Sequence, residues 1–414
     1  MSIGGRIIFY LIVAGLVANA LVLALIQLNS DASAAIERVE AGGWYYQLGF
    51  IANFLLTIAS VYGFFQYKSR FPKPVNICYV ALLILIALVC ARDIEQFAKS
   101  PNLFYSPKGL GTWINFGLLY FIAEEHYAQK VFRLFRLLCY IFIVFNLMRI
   151  AGLGSVSNRL ETQNAIRDTT VFLLWVYPFF FLDKTDNTKA LRILKYGAMA
   201  LVAFFALAIS SRSYVLISLI FILIKLYRDV NDKKNASAIA MILVLIFSGG
   251  YYIMANIQHF NFLNDVLSIF SSRVADDSRT DQLAEFAAQF DWSKLFTGAG
   301  ITATWNWSAD RLARYEWLDN QLILIVWWFG LQTCLIYLYY LIYPLLRPNR
   351  ADNIMHTNAK IILFFWILAC GGFAIYVTIS TKLFYYFISF LIGTLTLNAG
   401  TITLNGRRYN YIVK

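Results

Sequence analysis

The stretch "IIFYLIVAGLVANALVLALIQL", Ile7–Leu28, carries no charge over the roughly 20 residues that a helix needs to cross a bilayer. Ala18-Asn19-Ala20 loosely resembles the cleavage site of a secretory leader, but the apolar run continues to Leu28, which favours a retained helix. Similar runs recur near 45–66, 75–91, 110–124, 132–152, 168–182, 193–210, 213–227, 236–254, 320–342, 361–379 and 383–399. The expectation is an all-α, polytopic integral membrane protein of about 12 transmembrane helices with one large, partly helical loop. Its organisation is then helices at 1–254, the loop at 255–319, and further helices with a basic tail at 320–414.

Composition points the same way. The chain is 60% hydrophobic and 14% charged, whereas soluble domains carry about 25% charged residues. Cys78, Cys90, Cys139, Cys334 and Cys370 all lie inside apolar runs without a CxxC spacing. His126, His259 and His356 are far apart. Neither a disulfide framework nor a metal site is expected.

The net charge of +12 is unevenly placed. Lys68, Arg70 and Lys73 share one short connection, Lys130, Arg133 and Arg136 a second, and Lys225, Arg228, Lys233 and Lys234 a third. The twelve-helix arrangement puts all of these on one face, while most of the acids fall on the other. Short basic connections face the cytoplasm. Both termini are therefore expected there, with the long loop on the opposite face. The basic excess reads as a topology signal that meets anionic headgroups, and nucleic acid is not an expected partner.

The long loop has internal pattern. Phe262, Leu263, Val266, Leu267 and Phe270 form an apolar stripe at helical spacing, expected to lie on the membrane surface. Ser278-Arg279-Thr280-Asp281 resembles a capping box, and Leu283, Phe286, Ala287 and Phe290 follow at helical spacing, so a helix is expected over Arg279–Phe290. Gly298-Ala299-Gly300 marks a turn, and Ser308 starts a third helical piece through Trp317. A cation at a helix start opposes the dipole, but with the free N–H groups of that turn Arg279 suits a phosphate. Arg311 and Arg314 share a helical face and are either solvated or substrate-binding. Trp292, Trp305, Trp307 and Trp317 read as interfacial residues or, more sharply, as platforms for a sugar ring.

The order of "ISSRSYVLISLI" around Arg212, "SRTDQLAEFAAQFDWSKLFTGAG" and "WLDNQLILIVWWFGL" resembles that of bacterial O-antigen polymerases and O-antigen ligases. The likeness covers roughly 205–332 by motif and the whole chain by topology. Those families are inner-membrane proteins with about a dozen helices and one dominant periplasmic loop. Where the ligase-like pattern has His before Asn, this chain has Asp319-Asn320, a departure that favours a polymerase. The resemblance implies transfer of a glycan from a polyprenyl-diphosphate carrier to a sugar hydroxyl of another lipid-linked repeat unit, without cofactor or metal. It implies that Arg212 and Arg279 grip the diphosphate with Arg273 in support, and that Asp319 orients or deprotonates the acceptor, with Glu316 in reserve. Arg311, Arg314 and Trp305 join them as substrate-binding candidates. A polysaccharide chain-length regulator is an implied partner. The rival from another class is a lipid-linked oligosaccharide flippase, which would more naturally show two similar halves and charges within the spans.

Overall fold

The computed structural model describes residues 3–28, 44–106, 108–153, 159–183, 189–230, 261–274, 278–306, 318, 320–348, 354–372, 382–404 and 407–412. Among the described residues, six helices are long and apolar enough to cross a membrane: Gly5–Leu28, Gln47–Arg70, Lys73–Arg92, His126–Ala151, Ala190–Ala208 and Ile354–Gly371. Their outward faces are greasy. Ile77, Ile84 and Leu88 on one helix, and Leu137, Ile141, Val144 and Met148 on another, are large and exposed. Exposed apolar stripes of this extent are stable only against lipid or a partner surface. The chain is a multi-pass helical membrane protein.

In chain order the helices are α1 (Ile3–Leu28), α2 (Trp44–Tyr67), α3 (Lys73–Arg92), α4 (Ile94–Lys99), α5 (Leu110–Ile114), α6 (Glu125–Ala151), α7 (Arg159–Phe181), α8 (Lys189–Ala208) and α9 (Arg212–Val230). They continue as α10 (Asn261–Val274), α11 (Ser278–Gln289), α12 (Gln321–Phe329), α13 (Leu331–Leu346), α14 (Ile354–Gly372) and α15 (Lys382–Thr396). A two-stranded antiparallel hairpin, Ala399–Leu404 with Arg407–Ile412, follows. Up to Thr396 every described element is helical, as the apolar runs predict.

Several of the apolar runs show detail that hydropathy does not carry. The run at 110–124 is α5 followed by a 3-10 helix, Asn115–Ala123, whose every residue is buried. α15 is buried along its whole length. These two elements pack on one another and are covered by protein. The run at 168–182 extends back to Arg159, so a polar turn-rich segment is helical. The run at 320–342 is broken at Gly330 into α12 and α13. The run at 236–254 lies outside the described residues.

The chain divides into two compact units, neither a continuous stretch. Unit 1 takes Met1–Val22, Gly43–Leu134 and Asp277–Lys414; unit 2 takes Leu23–Gly42 and Phe135–Asp276. The long loop is shared between them.

Unit 1 is locked by buried amides. Asn53 Nδ2 donates to the Gly49 carbonyl at 2.6 Å, and its Oδ1 accepts from the Tyr386 hydroxyl. Asn115 Oδ1 accepts from Thr57 Oγ1 at 2.9 Å, and its Nδ2 reaches the Asn53 carbonyl at 3.4 Å. These groups bridge α2, the 3-10 helix and α15. A polar group inside an apolar body is tolerated when its partners are fixed in this way.

Unit 2 carries a buried ion pair. Lys225 Nζ lies 3.1 Å from Asp229 Oδ1, with side chains 2% and 5% exposed. The same ammonium donates to the Asp183 carbonyl at 3.1 Å, and Tyr196 donates its hydroxyl to Asp229 Oδ2 at 3.1 Å. The pair ties α8, α9 and the end of α7 together. Leaving one buried charge alone costs about 3–5 kcal/mol. Lys225→Met is expected to lower thermal stability of the purified protein by roughly that amount, and adding Asp229→Leu to recover most of it. Equal melting of wild type and Lys225→Met would refute the assignment.

Candidate functional site

The most constrained part of unit 1 is the break between α12 and α13. A helix that stops inside a protein leaves its last carbonyls without partners. Here a loop segment supplies them. Ala299 N–H donates to the Trp327 carbonyl at 2.6 Å and Gly300 N–H to the Trp328 carbonyl at 3.3 Å. In return Leu331 N–H donates to the Leu295 carbonyl at 2.8 Å. Three glycines make the approach possible. Gly298, Gly300 and Gly330 have φ of 70°, 101° and 89°, a region that only glycine occupies freely. A Cβ on Gly330 would overlap the Phe296 carbonyl, and one on Gly298 the Trp328 carbonyl.

The same segment is clasped from α3. Asp93 Oδ2 accepts from Ile301 N–H at 2.8 Å. Its neighbour Arg92 donates from Nη1 to the Gly298 carbonyl at 3.2 Å and pairs with Asp93 at 3.5 Å. Upstream, Asp291 caps the short 3-10 turn Trp292–Lys294 by accepting from Ser293 N–H at 3.0 Å. Hydrogen bonds from Ser293 hold the Asp291 carboxyl below the usual carboxylate range.

α11 closes over this segment. Its buried face is Gln282 and Phe286, with Leu283 and Phe290 half-buried and Ala287 exposed, a rotation from the stripe that spacing alone predicts. The Phe286 ring lies 5.2 Å from Trp327 and 5.6 Å from Trp305. Gln289 and the Asn306 backbone exchange two hydrogen bonds, at 2.7 and 2.9 Å. Trp292 and Phe296 stay exposed, 70% and 60%, as suits residues meeting a membrane interface.

Two lysines that the sequence reading passed over are buried in unit 1. Lys108 is 4% exposed, with Nζ 5.0 Å from the centre of the Trp328 ring, beside the helix break. Lys382 is 2% exposed and begins α15, with Nζ 5.8 Å from the Tyr105 ring. Arg92, Lys108 and Lys382 all come from segments that read as connections. Among the described residues no cluster of His, Cys, Asp and Glu could hold a metal ion.

Of the residues singled out by sequence, Trp305 is buried and serves the packing of α11. Arg279 is the second residue of α11, and Arg273 lies in the last turn of α10; their side chains lie outside the description. Arg311, Arg314, Glu316 and Asp319 lie outside the described residues. The residue that caps α12 is Asn320, whose Oδ1 accepts from Ile323 N–H at 3.0 Å while its Nδ2 donates to Gly371 at 2.7 Å. Arg212 belongs to unit 2, where it is the half-buried first residue of α9. Just before it, Ser210 has a φ of 53° and closes α8, with Ser211 N–H reaching back to the Ala206 carbonyl at 3.2 Å. α10 turns its stripe inward at Val266, and Phe262 meets Phe204 of α8 at 6.4 Å.

Neither a family model, nor a curated protein, nor a solved structure matches this chain. The arrangement itself therefore carries the functional argument.

Gly330→Ala is expected to undock the segment 291–306 and to cost about 1–3 kcal/mol. Hydrogen exchange across Ala299 and Gly300 is the measurement, with Gly197→Ala as the control because a Cβ there meets nothing within 4 Å. Unchanged protection at Ala299 in the Gly330 variant would show that the break does not hold the loop.

Proposed function

We propose that this chain is a polysaccharide polymerase of the bacterial inner membrane. It transfers a glycan from a polyprenyl-diphosphate carrier to a sugar hydroxyl of a second lipid-linked repeat unit. In this reading the chain crosses the membrane about twelve times. Both termini are cytoplasmic, and the loop lies on the periplasmic face. The observation that carries it is the docked segment: a capped turn, three glycines and α11 are fitted to a broken helix and clasped by Arg92 and Asp93. A flippase has no evident use for a built loop of this kind, whereas a transferase needs a fixed surface beside its reacting groups.

The chemistry makes definite demands. The acceptor oxygen forms a bond to the anomeric carbon while the bond from that carbon to the diphosphate oxygen breaks. Negative charge grows on the departing diphosphate, and arginine answers it with a planar, permanently charged fork. Arg212 and Arg279 are the residues assigned to that charge, with Arg273, Arg311 and Arg314 in support. Asp319 takes the proton of the acceptor hydroxyl or orients it, and Glu316 stands in reserve. The energy lies in the anomeric phosphate bond, so the reading needs neither nucleotide nor metal. A chain-length regulator is the expected protein partner.

The second reading is an O-antigen ligase, which differs in its acceptor. Asp319-Asn320 in place of His-Asn favours the polymerase. Reconstitution with purified lipid-linked repeat units separates the readings: ladders still joined to diphosphate lipid mark a polymerase, and transfer only to lipid A core marks a ligase. Arg279→Ala is expected to cut elongation by at least about 100-fold at unchanged protein level. Near-normal ladders from that variant would remove Arg279 from the site, and loss of translocation would point to the flippase.

A further inference from the structure

We propose that Lys382 forms an anion site in unit 1 that takes a phosphate of the carrier lipid's diphosphate. The class of occupant rests on the polymerase reading, while the existence of the site rests on geometry. Lys382 is 2% exposed and is the first residue of α15, which is buried along its length. Among the described residues its ammonium faces the ring of Tyr105 at 5.8 Å and has no carboxylate partner. The ring itself is fixed: Phe50 meets it edge-on at 5.0 Å, and its hydroxyl lies 3.3 Å from Thr57 Oγ1.

Two physical terms oppose a cation at this place. Dehydrating an ammonium costs more than the attraction of a single tyrosine ring returns. The start of a helix carries partial positive charge, so the dipole of α15 adds repulsion. Lys225 shows how this chain treats a buried lysine that serves structure: it has a carboxylate at 3.1 Å and a carbonyl at 3.1 Å. Lys382 has neither. An anion seated against it would meet the ammonium and the first-turn N–H groups of α15 together, the combination that binds phosphate at helix starts.

The proposed topology puts the start of α15, and Lys382 with it, at the periplasmic face, where a diphosphate joined to a membrane-embedded tail resides. Tyr386, one turn further along α15, is held by Asn53 and Asn115.

The test uses the full-length protein in detergent, titrated with undecaprenyl diphosphate and followed by bound lipid and by melting temperature. Wild type is expected to bind and be stabilised. Lys382→Met is expected to bind about tenfold or more weakly, to melt higher than wild type without ligand, and to lose the ligand-induced shift. Lys382→Arg keeps the charge and is expected to keep most of the binding. Competition by inorganic pyrophosphate assigns the site to the diphosphate; displacement only by phosphatidylglycerol vesicles assigns the same phosphate chemistry to a headgroup. Undiminished binding by Lys382→Met, a lower unliganded melting temperature for it, or no binding of any of the three probes by wild type overturns the proposal. Binding is read without turnover, so a wild-type protein that binds but builds no polymer overturns the polymerase reading and leaves the site standing.

Discussion

A helix broken inside a protein must have its free backbone groups satisfied without water, and the break at Gly330 sets that requirement for unit 1. Three backbone hydrogen bonds with the segment Leu295–Gly300, two donated by it and one accepted, meet it. An unmade bond of this kind costs about 1–3 kcal/mol, so loop and break stabilise each other and neither is arranged alone. Everything close to the loop follows. The glycines at 298, 300 and 330 are needed for backbone to lie on backbone, and the clasp of Arg92 and Asp93 lies where the segment leaves the break. α11 is then placed by Phe286 against Trp327, the residue whose carbonyl receives Ala299.

Two kinds of buried polarity stand out among the described residues. The amides of Asn53 and Asn115 and the pair Lys225–Asp229 have partners at hydrogen-bond distance on neighbouring elements. They tie helices together where apolar packing alone does not fix register. Lys382 is a different case, since its partner is a ring and its position is at the unfavourable end of a helix. A group whose surroundings do not compensate its charge is better explained by something that arrives than by the fold.

The helical membrane class was legible because apolar runs of spanning length need no tertiary information. α11 was legible too, since Ser278 and Asp281 frame its start and Phe286 and Phe290 repeat at its period. Periodicity misplaced its buried face: Gln282 is covered because Gln289 and Trp305 fix the helix from the side, and spacing carries no sign of either. The runs at 110–124 and 383–399 are as apolar as lipid-facing ones although protein covers them, so composition carried no sign of their burial. Hydropathy reports distance from water, not which apolar medium lies around a residue. Gly298-Ala299-Gly300 gave a turn, but its partner at Gly330 lay in a run whose apolar composition hid the break. Lys108 and Lys382 were overlooked as ordinary charges at connections, although a single lysine between two apolar runs is itself a signal.

Arg159, Arg212, Arg279 and Lys382 stand at the starts of α7, α9, α11 and α15. Lys73 and Lys189 also begin helices, α3 and α8, but in the proposed topology they face the cytoplasm, where anionic headgroups account for basic residues. The other four face the opposite way, where that account gives no reason for a cation. Each opposes a helix dipole at a cost of about 0.3–1 kcal/mol, small enough to be tolerated once and notable when repeated on one face. A soluble explanation, that the charges are simply solvated, fails for Lys382 because it is 2% exposed. On the polymerase reading proposed above, an anionic lipid-borne substrate gives the buried cation of Lys382 its reason.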